Sequence, residues 1–121
     1  MANTQGRTLG EVLREARNGA DLSLRDLAKK LSVTASYLSD IENDRRVPSE
    51  AVLGELAKVF HLKLDELMAL AGRVGDDGER YLKSHPSAGV LFRRLADQRM
   101  PEEDLQKVVK YVETLKKKHR G

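Results

Sequence analysis

Cysteine and tryptophan are absent from this 121-residue chain, and aromatic residues make up only 4% of it. Without cysteine there are no disulfides and no thiolate metal sites, a composition that suits the cytosol. With so few rings, the core has to be built largely from Leu, Val and Ala. No apolar stretch approaches the roughly 18 residues that a membrane-spanning helix needs. The opening "MANTQGRTLGE" lacks the apolar centre of an export signal. The expectation is a cytoplasmic protein with no membrane role.

What is present is charge: 34% of residues are charged against 40% hydrophobic, as in a soluble globular chain. The length suits one compact domain with a small appendage. The net charge of +3 is unevenly divided, because residues 1–72 hold 10 Lys/Arg against 11 Asp/Glu while residues 73–121 hold 12 against 8. The first part is therefore no bulk polycation, and any nucleic-acid contact there has to use a local patch.

The first 70 residues predict closely spaced helices. "TLGE" at Thr8–Glu11 is a capping box, followed by an apolar stripe of Leu9, Val12, Leu13 and Ala16. "SLRD" from Ser23 opens a second, short helix with Leu24, Leu27, Ala28 and Leu31 inward. Thr34 caps a third helix, "RRVPS" ends it, and Ser49 caps a fourth with Val52, Leu53, Leu56, Ala57, Val59 and Phe60 inward. "LDELMALAG" closes the set at Gly72. "GRVGDDGER", residues 72–80, is glycine-rich and charged and predicts a linker or flexible turn. Beyond it, Pro86 starts a helix carrying Ala88, Leu91, Phe92 and Leu95. Pro101 starts another, acidic at its beginning, with "KKKHR" at its end and Leu105, Val108, Val109, Val112 and Leu115 on one face. No strand-like alternation of useful length occurs, so the expected class is all-α. The expected division is 1–72, a linker at 73–85, and a C-terminal helical region at 86–121.

The third helix spends its outer face on Ser36, Ser39, Asp40 and Asn43, which compete with a helix for backbone hydrogen bonds. Short side chains make sense if that face must enter a DNA major groove, about 12 Å wide. A short helix, a few connecting residues and then such a helix is the layout of a helix-turn-helix.

"LSLRDLAKKLSVTASYLSDIENDRRVPSEAVLGELAKVF" resembles the Xre family, the phage repressor and Cro-like helix-turn-helix proteins. The resemblance spans about Leu9 to Ala71 and implies a five-helix lambda-repressor-like domain followed by a helical hairpin. It departs from the family at Ser32 and Asp21, where glycine is frequent, and at Lys63, where Ser or Thr commonly caps the fifth helix. By resemblance, Ala35, Ser36, Ser39 and Asp40 face base edges. Ser23, Arg25, Lys29, Thr34, Tyr37, Asn43, Arg45 and Arg46 hold phosphates, and Arg17 and Glu42 form an internal ion pair. Asp40, a carboxylate near DNA, fits only if it accepts from a cytosine amino group or a neighbouring Arg.

Enzymatic readings find no support, and no cofactor is implied. His61 and Asp65 lie one turn apart but lack a third ligand, and "GDDGE" lacks the ligand alternation of a calcium loop; no metal site is expected. One recognition helix reads few base pairs, so a homodimer or higher homo-oligomer on a double-stranded operator is expected. Leu91, Phe92, Leu95, Leu105, Val108, Val109, Val112 and Leu115 are the candidate association residues. The layout looks like that of biofilm-type repressors, whose helical-hairpin tail oligomerises and accepts an antagonist protein. The tail is also similar to those of regulators that accompany a zinc metallopeptidase of the immunity-repressor type. The expected function is a repressor on a palindromic operator. The alternatives are an antitoxin that masks a toxin and autoregulates its operon, or general nucleic-acid affinity through "KKKHR".

Overall fold

The structure, a computed structural model, describes residues 7–120, with side chains as far as residue 115. The side chains of "KKKHR" lie outside that range. Among the described residues all regular structure is helical: α1 Leu9–Gly19, α2 Leu24–Leu31, α3 Ala35–Glu42, α4 Glu50–Phe60, α5 Leu64–Leu70, α6 Gly75–Ser84, α7 Pro86–Asp97 and α8 Glu102–Arg120. The chain divides into two compact units, Met1–Asp76 and Asp77–Gly121. No helix among the described residues is long and apolar enough to cross a membrane.

The first unit holds α1 to α5, and each of the first four helices begins on a side-chain cap. Thr8 accepts from the Glu11 amide at 3.1 Å while Glu11 accepts from the Thr8 amide at 2.9 Å. Ser23, Thr34 and Ser49 accept from the amides of Asp26, Tyr37 and Val52 at 3.0, 3.0 and 3.2 Å. Each bond satisfies one of the orphan donors of a helix start and contributes about 1 kcal/mol. Lys63, at the same place before α5, makes no side-chain cap bond.

The helix ends follow one rule. Within the two residues after each of α1 to α4 and α7, one turns left-handed: Asp21, Ser32, Asp44, His61 and Arg99, with φ of 56°, 56°, 57°, 55° and 49°. The next amide then reaches back five residues, as in Val33 N to Ala28 O at 3.0 Å and Met100 N to Leu95 O at 3.1 Å. Only α5 uses glycine there, Gly72 at φ 70°. A left-handed non-glycine residue costs roughly 1–2 kcal/mol, so in the first unit the other turns are held by the packing around them.

That packing is a core of Leu9, Val12, Leu13, Leu27, Ala28, Leu38, Ile41, Leu53, Leu56, Ala57 and Leu67, all buried. The expected inner faces of α1, α2 and α4 supply most of it, and α3 adds Leu38 and Ile41. Burying each large apolar side chain contributes about 1.5–3 kcal/mol. α1 and α2 both pack on α3, and α4 on α2 and α5.

Residues 73–85 differ from expectation, being helical over Gly75–Ser84 rather than an irregular linker. Glycines suggested a turn, but Asp76 and Asp77 put carboxylates at the positive end of a helix dipole, and Asp77 pairs with Arg80 one turn on.

In the second unit α7 and α8 are joined by a short turn over 98–101, and Pro86 occupies the first turn of α7 as expected. No residue of α6 or α7 is buried. Leu95, Leu105 and Val108 are half-buried. Leu91, Phe92, Val109, Val112 and Leu115 are exposed, Phe92 by 63%. Among the described residues, the stripe legible in the sequence is therefore not closed by the second unit itself.

Replacing Ser32 by glycine should raise stability by about 0.5–1 kcal/mol, the steric gain at φ 56° less the greater freedom of glycine in the unfolded chain. Urea unfolding of Ser32→Gly measures this, and an unchanged or lower midpoint would show that the turn carries no strain.

Candidate nucleic-acid interface

α2 and α3 are separated only by Ser32, Val33 and Thr34. The buried side of α3 is Leu38 and Ile41 with Glu42, which is 5% exposed. Ser36, Ser39, Asp40 and Asn43 follow at helical spacing on the outer side, Ser36 and Asn43 exposed and Ser39 and Asp40 half-buried. Ala35 belongs partly to the inside, packed against the core. A hydroxyl and short polar groups are thus presented with little bulk around them.

The cations near this face differ in how they are held. Arg25 and Lys29 are exposed on α2 and enter no ion pair among the described residues. Arg46 lies over the Tyr37 ring, 4.9 Å from its centroid, a cation–π contact that leaves the charge unneutralised. Arg45 instead pairs with Asp40, Nε to Oδ1 at 3.2 Å. Of the hydroxyls, Ser23 and Thr34 use an oxygen lone pair for capping, and each keeps its O–H to donate. Asn43 is committed internally: its amide nitrogen donates to Ser39 O at 2.8 Å and its oxygen accepts from Arg14 Nη2 at 2.8 Å.

Behind the face lies a polar clamp between α1 and the end of α3. Arg17 Nε and Nη2 donate to Glu42 Oε2 and Oε1 at 2.7 and 3.0 Å, and Nη1 donates to Leu22 O at 2.9 Å. The hydrogen bond to Glu42 holds the Arg17 guanidinium above its ordinary pKa, against the opposing effect of burial. The sign places any titration of this arginine at strongly alkaline pH: its contribution persists through the neutral range and is lost only above it. Arg14 adds a bond to Glu42 O at 3.2 Å. Asp44 Oδ1 accepts from the Gly10 amide at 3.0 Å, placing a carboxylate at the start of α1. Gly10 itself has no room for a side chain, since a Cβ there would lie 2.3 Å from Glu42 O.

Sequence reasoning named Arg17 and Glu42 but missed Gly10, Arg14 and Asp44. Arg14 carried a faint signal, one turn before Arg17 on the same side. Gly10 and Asp44 carried none, because their contacts span more than thirty residues. His61 and Asp65 belong to no cluster that could hold a metal, and among the described residues no such cluster of three His, Asp or Glu occurs.

Residues 13–67 match the family model described as helix-turn-helix. The chain is 34% identical over 73 residues to the ImmF control region 10 kDa protein of Bacillus phage phi105, a match covering 60% of this chain and 81% of that one. It is 31% identical over 87 residues to the transcriptional regulator ClgR of Mycobacterium tuberculosis, covering 72% of this chain and 78% of the relative. Among solved structures, that of the master regulator for biofilm formation SinR in complex with DNA is 31% identical with a TM-score of 0.47, covering 50% of this chain and 98% of that one.

Truncating Glu42 to Ala should cost about 1.5–3 kcal/mol, because the half-buried Arg17 guanidinium loses its charged acceptor. The double variant Arg17→Met/Glu42→Leu should recover most of that loss. Denaturant unfolding of the two variants tests the clamp, and a loss under about 1 kcal/mol for Glu42→Ala would remove its structural importance.

Proposed function

The chain belongs to the Xre-like helix-turn-helix family of DNA-binding transcriptional regulators, and from that premise we propose that it is a repressor occupying a two-fold symmetric operator as a homodimer. The observation that carries the reading is the outer side of α3, with Ser36 and Ser39 flanked by the arginines that follow the helix. Side chains of this size let a helix backbone approach base edges in the major groove. Ser36 and Ser39, with Ala35 beside them, meet base edges, whereas Asp40 is engaged by Arg45. The hydroxyls of Ser23, Thr34 and Tyr37 and the cations Arg25, Lys29, Arg45 and Arg46 take the backbone on either side, with Asn43 at the end of α3.

Dimerisation is supported by the second unit. Leu91, Phe92, Val109, Val112 and Leu115 stand exposed while Leu95, Leu105 and Val108 are half-buried, an apolar face that a second copy would cover. Two half-sites one turn of DNA apart, about 34 Å, supply the base pairs that one α3 cannot read alone. An antagonist protein or a metallopeptidase would act at the same face. Nothing observed favours an antitoxin.

Selection from a random duplex pool at near-physiological salt should enrich a symmetric site with half-site centres about 10 base pairs apart. On that site Ser36→Ala should shift base preference and leave the salt dependence nearly intact. Arg46→Ala should weaken all sequences alike and reduce the slope of log affinity against log salt by about 1. Identical behaviour of the two variants would overturn the division of roles. Val112→Asp, read by sedimentation, should yield monomers that bind the full site far more weakly; a Val112→Asp dimer would move association elsewhere.

A further inference from the structure

Asp40 occupies the outer side of α3, where a carboxylate opposes every DNA sequence equally through repulsion from phosphates. Two observations explain its presence there without any base contact. Its Oδ1 accepts from Arg45 Nε at 3.2 Å, and its backbone oxygen accepts from the Arg45 amide at 2.8 Å. Main chain and side chain thus bind the same pair of residues together, across the left-handed turn at Asp44. The contact uses the Nε edge of the guanidinium and leaves its two terminal nitrogens without a partner among the described residues.

Resting on the DNA-binding reading above, we infer that Asp40 is a positioning and specificity-determining residue that acts through Arg45, offsetting its charge toward DNA in general and holding its Nη groups for one acceptor in the correct register. A mobile, unpaired arginine attracts any phosphate within reach. A paired one contributes almost no net charge at a distance and gains its contact only where an acceptor meets the held nitrogens. Arg46 is the internal contrast, since Tyr37 holds it without neutralising it. The two neighbouring arginines therefore divide the work: Arg46 attracts DNA of any sequence, and Arg45 discriminates. Exposed pairs of this kind are weak, so the effect lies in the ratio of two affinities.

The test uses the full chain and four forms of it: wild type, Asp40→Asn, Arg45→Ala and the double variant. Each is measured on the selected operator and on an unrelated duplex of equal length at one salt concentration. Asp40→Asn should tighten binding to the unrelated duplex by about threefold and change operator affinity by less than about twofold, so that the specificity ratio falls. In the Arg45→Ala background Asp40→Asn should leave the ratio unchanged. A shift of base preference at a single operator position in Asp40→Asn would make Asp40 a base reader and overturn the inference. Equal tightening on both duplexes would reduce it to an ordinary surface charge and overturn it too. Both failures differ from that of the underlying reading, which would show as a wild-type protein with no preferred sequence.

Discussion

The bidentate pairing of Arg17 with Glu42 is the constraint on which the first unit depends. A carboxylate and a guanidinium removed from water each carry a desolvation cost of several kcal/mol, repaid only when every donor and acceptor finds a partner. Here the partners are found: Glu42 takes two nitrogens of Arg17, and the third goes to Leu22 O. A sliding of α1 along α3 by one residue would strand both charges. Hydrophobic burial is non-directional, whereas the polar clamp fits one register only. Gly10 sets the depth of the contact, and Asp44 closes it by meeting the first turn of α1.

That clamp matters because α3 is a poor helix by itself. It has eight residues, two of them Ser and one Asp, far below the roughly 12–15 that an isolated helix needs. Its start is held by Thr34, its end by Asn43, and its inner side by Leu38 and Ile41 in the core. Weak propensity on the outer side is thereby affordable. The second unit is organised differently, with apolar residues along α7 and α8 and no fully buried side chain in α6 or α7.

Local signals were the ones that sequence exposed. The all-helical class, the order of the first five helices and the caps at Thr8, Ser23, Thr34 and Ser49 all rest on contacts three or four residues apart, which spacing reveals directly. The strained turns at Ser32 and Asp21 were visible as departures from a family pattern, whereas those at His61 and Arg99 were not. The helix over Gly75–Ser84 was hidden by its glycines, because composition weighed more than the acidic start. The Arg17–Glu42 pair came from resemblance, since no spacing joins residues 25 apart in sequence. Arg14, Asp44 and the holding of Arg45 by Asp40 needed coordinates: each depends on how a turn aims a side chain.

The two sides of α3 answer to different demands. Leu38, Ile41 and Glu42 are bound into the scaffold, while Ser36 touches nothing that the core requires. Ser36 can therefore be replaced without a compensating change inside. Asn43, at the other end of the same side, cannot, because it ties Arg14 to the end of α3, so freedom to alter the target is concentrated at the start of the helix.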